Sequence, residues 1–247
     1  QEAVDETIQF DPNLVSIMLA NNETGVIQDV ASVAQQLREK GIVVHTDAVQ
    51  ALGKIPVNFN QLSVNMMTLS SHKIYGPKGC GALVVDKAVS LKPMLLGGGQ
   101  EQGLRAGTEN PPAIIGFGKA AELAGAELAQ RAEQLQKLRT MLEVRLISIP
   151  GISIFAKEAE RLPNTVQFGI EGMDGEMLLM KLDQKGVAVS SGSACASGGG
   201  KPSPVLAAMG VTAELAKSAI RVSLGKANTE AETIEFTDLL KNLVIPG

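Results

Sequence analysis

Between Leu14 and Leu69 the sequence alternates short apolar runs with one stretch of helical periodicity, and that alternation leaves few folds open. The run LVSIMLA (Leu14 to Ala20) has the length and composition of a buried strand and ends in the polar turn Asn21-Asn22-Glu23-Thr24-Gly25. Asp29 can cap a helix whose apolar positions Val30, Val33, Ala34 and Leu37 recur at helical spacing, and Gly41 stops it. IVVHTDA (Ile42 to Ala48) is the next strand, and MMTL (Met66 to Leu69) another. Strand, helix, strand at this spacing is a βαβ unit, which implies parallel pairing and a right-handed crossover. The polar ends of the first two strands, Asn22 and Asp47, are therefore expected at one sheet edge, together with the segment that leaves the third.

That segment is SSHKIYGPKG, residues 70 to 79, in which Gly76-Pro77 and Gly79 mark a turn. Lys73 is thus placed at a strand's carboxyl end, the edge of an open α/β sheet where ligands bind. A lysine partly desolvated there loses its proton more easily, which Schiff-base chemistry with an aldehyde requires; the plain alternative is a surface lysine after a strand. Asp47 is a carboxylate closing an apolar strand. It can cap the segment from Ala48 onward, or pair with a cationic heterocycle, and Gln50 could face the same pocket. GALVVD (Gly81 to Asp86) reads as a further strand, with Cys80 at its start as a packing residue. The glycine-rich stretch GGGQEQGLRAGTEN, residues 97 to 110, carries Arg105 and Thr108, both able to bind phosphate oxygens, but it lacks the GxGxxG pattern of a dinucleotide site.

The second half reads differently. From Pro112 to about Ile147 runs one long alanine-rich helical pattern, either continuous or bent or broken along its length. Beyond Pro150-Gly151 come strands ISIFA and TVQFGI, a helix from Asp174 to Lys185, strand VAVS, two shorter helices, strand IRVSL and a capped helix from Thr229. This mixture suggests a smaller α+β domain, and the expected division is residues 1–126 for the larger domain and 127–247 for the smaller. Within the latter, SSGSACASGGGKPSP (Ser190 to Pro204) has little apolar material to bury and should be a surface loop, on which Cys195 can serve as a nucleophile if its thiolate is favoured. Arg221 is either an ordinary ion-pair residue or a bidentate carboxylate clamp.

Bulk properties narrow the classes. The 247 residues carry 22 basic and 26 acidic side chains, for a net charge of −4, so no basic footprint argues for nucleic acid or a polybasic membrane anchor. No apolar run approaches the ~18 residues of a membrane span, and a soluble, cytoplasmic protein is expected. Two cysteines and two histidines make neither a disulfide framework nor a multi-ligand zinc site, so no metal is expected.

Taken together and in order, NNETG, HTDAVQ, SSHKIYGPKG, GGGQEQGLRAGT and SSGSAC resemble the NifS/IscS type of cysteine desulfurase, a class-V aminotransferase family of fold-type-I enzymes that use pyridoxal 5′-phosphate. The likeness runs through nearly the whole chain. It implies an α/β fold, with a mostly parallel large-domain sheet and a smaller α+β domain. It also implies that Lys73 forms the Schiff base with the cofactor, that His72 assists proton transfers beside it, and that Asp47 pairs with the pyridine nitrogen. By the same comparison Gln50 bonds the cofactor's phenolic oxygen, Ser70 and His72 hold its phosphate region, and Asn22 and Arg221 bind the substrate carboxylate, with Asn22 also touching the cofactor. Thr108 would reach the phosphate of a neighbouring subunit, which implies a homodimer. The implied reaction converts L-cysteine to L-alanine and leaves the sulfur as a persulfide on Cys195 for an acceptor protein serving iron–sulfur assembly or tRNA thiolation.

In that family an N-terminal third precedes the part matching residue 1, with a Gly-Thr turn at a helix N-terminus that grips the phosphate and a histidine that stacks on the ring. The expectation is that the chain corresponds to the remaining two-thirds. Two other readings stay open on the sequence alone: a selenocysteine lyase, and a cofactor-free scaffold or docking module.

Overall fold

Three parallel strands grow from apolar runs that end in polar residues. The computed structural model describes residues 1–191 and 203–245. Strand β1 (Leu14–Met18) pairs in parallel with β2 (Val43–Asp47), setting Met18 beside Asp47. Strand β2 pairs in parallel with β3 (Met66–Ser70), setting Asp47 beside Thr68, and β4 (Gly81–Val85) closes the four-stranded sheet antiparallel to β3. Helix α1 (Glu2–Gln9) precedes β1 and buries Val4; the sequence pattern assigns no element there, because three apolar positions, Ala3, Val4 and Ile8, in a polar stretch leave a weak periodic signal.

Helix α2 (Val30–Glu39) is the crossover between β1 and β2. Asp29 caps it by accepting from Ser32 N at 3.2 Å, and hydrogen bonding from the Ser32 side chain, with that backbone bond second, holds its carboxyl below the usual range. Val30, Ala34 and Leu37 are buried on its inner face, as are Val44 and Thr46 on β2. The other face of β2 carries Val43, His45 and Asp47. A short helix α3 (Phe59–Leu62), capped by Asn58, leads into β3, and α4 (Pro111–Ala126), capped by Asn110, buries Ala120 and Ala124 near Ile74.

The long helical pattern is two helices, α4 and α5 (Leu128–Ile147), parted at Glu127, which serves as the C-cap of α4. The chain divides into two compact units. One comprises Gln1–Ala20 with Gln28–Leu128, and the other Asn21–Ile27 with everything from Ala129 onward.

The second unit has a four-stranded sheet in the order β5 (Ile152–Ile154), β6 (Thr165–Ile170), β8 (Ile220–Ser223), β7 (Ser190–Ser191), with every pairing antiparallel. Helix α6 (Gly175–Gln184), capped by Asp174, lies between β6 and β7 in the chain, and α7 (Pro204–Ala208) and α8 (Ala213–Lys217) lead to β8. Strand β7 is shorter than the VAVS run suggested: only its last residue, Ser190, with Ser191, meets β8. Helix α9 (Glu230–Val244) opens on a complete capping box between Thr229 and Glu232.

Leucines 135, 138, 142 and 146 recur along α5 and are buried. The last two join Val166, Phe168, Ile220, Phe236 and Leu240 in the core of this unit. Each such side chain contributes roughly 1.5–3 kcal/mol by leaving water. The turn Asn21–Ile27 joins the same unit through a bridge between Val26 and Arg161 and through Leu162 N, which donates to Gly25 O at 2.8 Å.

Candidate active site

In the first unit the carboxyl ends of the parallel strands, and the turn after β3, hold Asp47, Ser70, His72 and Lys73, the residues expected at the site. Directly after β3 the backbone turns through one 3₁₀ helix, Ser71–Ile74. Ser71 and Ile74 point inward and are buried, which turns His72 and Lys73 outward. The turn is held from two sides. A side chain at Gly76 would collide with Ser71 Oγ and come within 3.0 Å of Ala120 Cβ, and one at Gly53 would press on Ile74 at 3.0 Å. Tyr75 closes the turn in the left-handed region at φ 69°, a conformation more often given to glycine or asparagine.

Asp47 ends the adjacent strand. Its Oδ1 accepts from Val49 N at 2.9 Å, so the capping role does occur. Two residues earlier on the same face, His45 is clamped, with Nδ1 at 2.7 Å from Ser16 Oγ and Nε2 at 2.7 Å from Thr68 Oγ1. Burial lowers its pKa against the opposing charge of Asp47, so the ring is neutral at pH 7. Ser70 Oγ and His72 Nδ1 are 2.9 Å apart, tying together two of the expected site residues.

Gln50 comes in the turn after Asp47, and its backbone carbonyl accepts from Lys54 Nζ at 2.7 Å. Burial and the nearby charge of Lys73 bring the Lys54 amine down to about 8. Sequence reasoning overlooked Lys54. Its only signal was a lysine, directly after Gly53, within the otherwise uncharged run Ala48–Ile55. Thr108 lies on the exposed segment after the 3₁₀ turn Gln100–Gly103.

The second unit holds the other expected pair. Arg221 Nη1 donates to the Asn22 carbonyl at 2.7 Å, and Nη2 donates to Ser190 Oγ at 3.2 Å. Asn21, by contrast, is spent on its own turn, its Oδ1 accepting from the backbone of Glu23 and Thr24 at 2.9 Å each. Beside Arg221 stands Gln167, fully buried, with Nε2 donating to Glu23 at 3.3 Å. It too was missed, although a glutamine inside TVQFGI is a visible break in an apolar strand. Cys195 lies outside the described residues.

An amine, a carboxylate, a hydroxyl and an imidazole on one sheet edge form the donor set that pyridoxal 5′-phosphate requires: Lys73 for its aldehyde, Asp47 for its ring nitrogen, Ser70 and His72 for its phosphate region. The residues of the first unit fit that group.

Comparisons with known proteins agree with this chemistry. The chain is 43% identical over 237 residues to a protein named cysteine desulfurase IscS from Methanosarcina thermophila, an alignment covering 96% of this chain and 59% of the relative. It is 45% identical over 232 residues to a cysteine desulfurase from Gluconacetobacter diazotrophicus, covering 94% of this chain and 58% of that one. Among solved structures, a NifS-like protein from Rickettsia africae superposes with a TM-score of 0.91 at 36% identity, covering 98% of this chain and 65% of that one. The chain therefore spans about three fifths of the length of the curated relatives it matches. Residues 1–236 match aminotransferase class-V, and the chain belongs to that family.

Proposed function

We propose that the chain is the greater part of a cysteine desulfurase that moves sulfur from L-cysteine to Cys195. The observation that carries this reading is Lys73 on its buried-edged turn, one strand away from Asp47, in a chain 43% identical to an IscS protein. A solved structure described as SspA in complex with cysteine, 31% identical with a TM-score of 0.73, supports the choice of substrate.

Bound pyridoxal 5′-phosphate supplies an electron sink for the charge that develops at the substrate's α-carbon. Asp47 holds the ring nitrogen protonated, Gln50 bonds the phenolic oxygen, and Asn22 adds a further contact. Lys73 carries the amine that would hold the cofactor's aldehyde, and the same amine can accept and return a proton. His72, oriented by Ser70, assists proton transfers beside Lys73; such acid–base steps are typically worth ~10²–10⁴ in rate. Arg221 and Asn22 take the substrate carboxylate. The thiolate of Cys195 attacks the sulfur as the carbon–sulfur bond breaks. L-cysteine and the Cys195 thiol thereby become L-alanine and a Cys195 persulfide, with atoms and electrons balanced and no external oxidant.

A homodimer completes the reading, with Thr108 reaching the partner's phosphate group. It is supported by the exposed apolar residues close to Thr108 in sequence, Met94 at 95% and Leu96 at 82% exposure. A cytoplasmic setting and a sulfur-acceptor protein belong to the same proposal.

The test is alanine release from L-cysteine by the holoenzyme, together with intact mass after borohydride reduction. Lys73→Ala should abolish both turnover and the reduced cofactor adduct, and Cys195→Ser should abolish turnover while keeping the adduct. Wild-type alanine release by Cys195→Ser would remove the assigned nucleophile.

A further inference from the structure

Arg221 is the middle member of a row of three side chains crossing the sheet of the second unit. Gln167 on β6 stands opposite it on one side and Ser190 on β7 on the other, and directly opposed residues of antiparallel strands project to the same face. Gln167 is fully buried between the apolar neighbours Val166 and Phe168, so its amide needs partners. A carboxylate can only accept, so the bond from Nε2 to Glu23 fixes the amide with its Oε1 directed away from Glu23. That Oε1 has no hydrogen-bond partner among the described residues. Neither has Arg221 Nε, and both atoms are buried. One lacks a donor and the other an acceptor, on directly opposed residues.

We propose that Gln167 is a positioning residue for Arg221: its Oε1, oriented by Glu23, accepts a hydrogen bond from the guanidinium Nε–H when a carboxylate is bound. The donor count then closes. A guanidinium has five N–H groups; Asn22 O takes one from Nη1, Ser190 Oγ one from Nη2, and Gln167 the one on Nε. Two remain, one on each terminal nitrogen, which is the number a bidentate carboxylate accepts. Without Gln167 the guanidinium is held only through its terminal nitrogens, by Asn22 O and Ser190 Oγ, and its Nε–H has no acceptor to fix the plane of the fork.

This inference rests on the reading of Arg221 as the carboxylate clamp, so the experiment separates the two. Calorimetric titration of the holoenzyme with L-alanine and with ethylamine, which differ only by the carboxylate, isolates the clamp. Gln167→Met should weaken L-alanine about tenfold and leave ethylamine unchanged, the loss expected for one hydrogen bond to a charged group. In turnover it should raise KM for L-cysteine with kcat held within about twofold, a split that a general loss of structure does not produce. Glu23→Gln, which frees the amide to flip without emptying the core, should weaken L-alanine about threefold, and it carries the test alone if Gln167→Met does not fold.

Unchanged L-alanine affinity in Gln167→Met, or in Glu23→Gln where only that variant folds, overturns the proposal if Arg221→Lys lowers that affinity. Should Arg221→Lys leave the preference for L-alanine over ethylamine intact, the clamp reading fails and the proposal with it.

Discussion

The guanidinium of Arg221 donates to the backbone carbonyl of Asn22 at 2.7 Å, across 199 residues of sequence. That contact unites the two residues expected to bind a substrate carboxylate and holds the arginine before any substrate arrives. Arg221→Ala should therefore raise KM for L-cysteine about a hundredfold, the scale of a desolvated charge pair that loses one partner. Steady-state alanine release checks this. An unchanged KM would show that the arginine is structural.

The turn bearing Lys73 depends on a glycine with no positive φ to explain it. A methyl group at Gly76 meets Ser71 Oγ, Ser71 O at 3.1 Å and Ala120 Cβ at 3.0 Å, and none of these is the free end of a long side chain. Gly76→Ala should displace the 3₁₀ turn and lower cofactor incorporation at least about tenfold, because small misplacements at a reacting group are costly. Cofactor stoichiometry by absorbance and mass, alongside circular dichroism, separates this from unfolding.

Lys54 titrates at 10.5 in the unfolded chain and at about 8 when folded. Between those values the unfolded chain holds the extra proton, so this group makes stability rise with pH there. Below pH 8 the folded protein buries the charge and carries the full penalty, at most about 3 kcal/mol. Lys54→Met should stabilise the protein at pH 7 and flatten the gain between pH 8 and 10. Urea unfolding at the two pH values reads both effects, and a steeper gain in the variant would contradict the assignment.

In the second unit Arg161, 6% exposed, donates to Glu143 at 2.8 Å, while Arg139 lies 3.7 Å from the same carboxylate and donates to the carbonyls of Arg161 and Leu162. Burial and the charge of Arg161 press the Arg139 pKa downward. Glu143→Ala leaves two guanidinia without this shared counter-charge and should cost about 3–5 kcal/mol in chemical unfolding. A cost below about 1 kcal/mol would mean that solvent screens the cluster.

Much of this was legible in the sequence, for physical reasons that differ by element. The alternation of Leu14–Met18, the Asp29-capped helix and Val43–Asp47 announced parallel pairing, because crossover connections need a helix. Asp47 and Lys73 could be placed on one edge because one ends a strand and the other directly follows one in a single sheet; Asn22, expected beside them, belongs to the second unit instead. Gln167 and Lys54 were not legible. A polar side chain inside an apolar strand signals only that a partner exists, and its identity, here Glu23, sits 144 residues away. That the long helical pattern could be bent or broken was legible, but the place of the break at Glu127 was not, since alanine, leucine and glutamate favour helix on both sides of it.

The segment Asn21–Ile27 belongs to the second unit although residues of the first flank it on both sides. During synthesis it emerges early and waits for Leu162 and then Arg221. At ribosomal rates, Arg221 is roughly 10–40 s behind Asn22. The second unit therefore cannot mature as an autonomous cotranslational block, and a plasmid encoding only residues 129–247 would omit the strap that receives its central arginine.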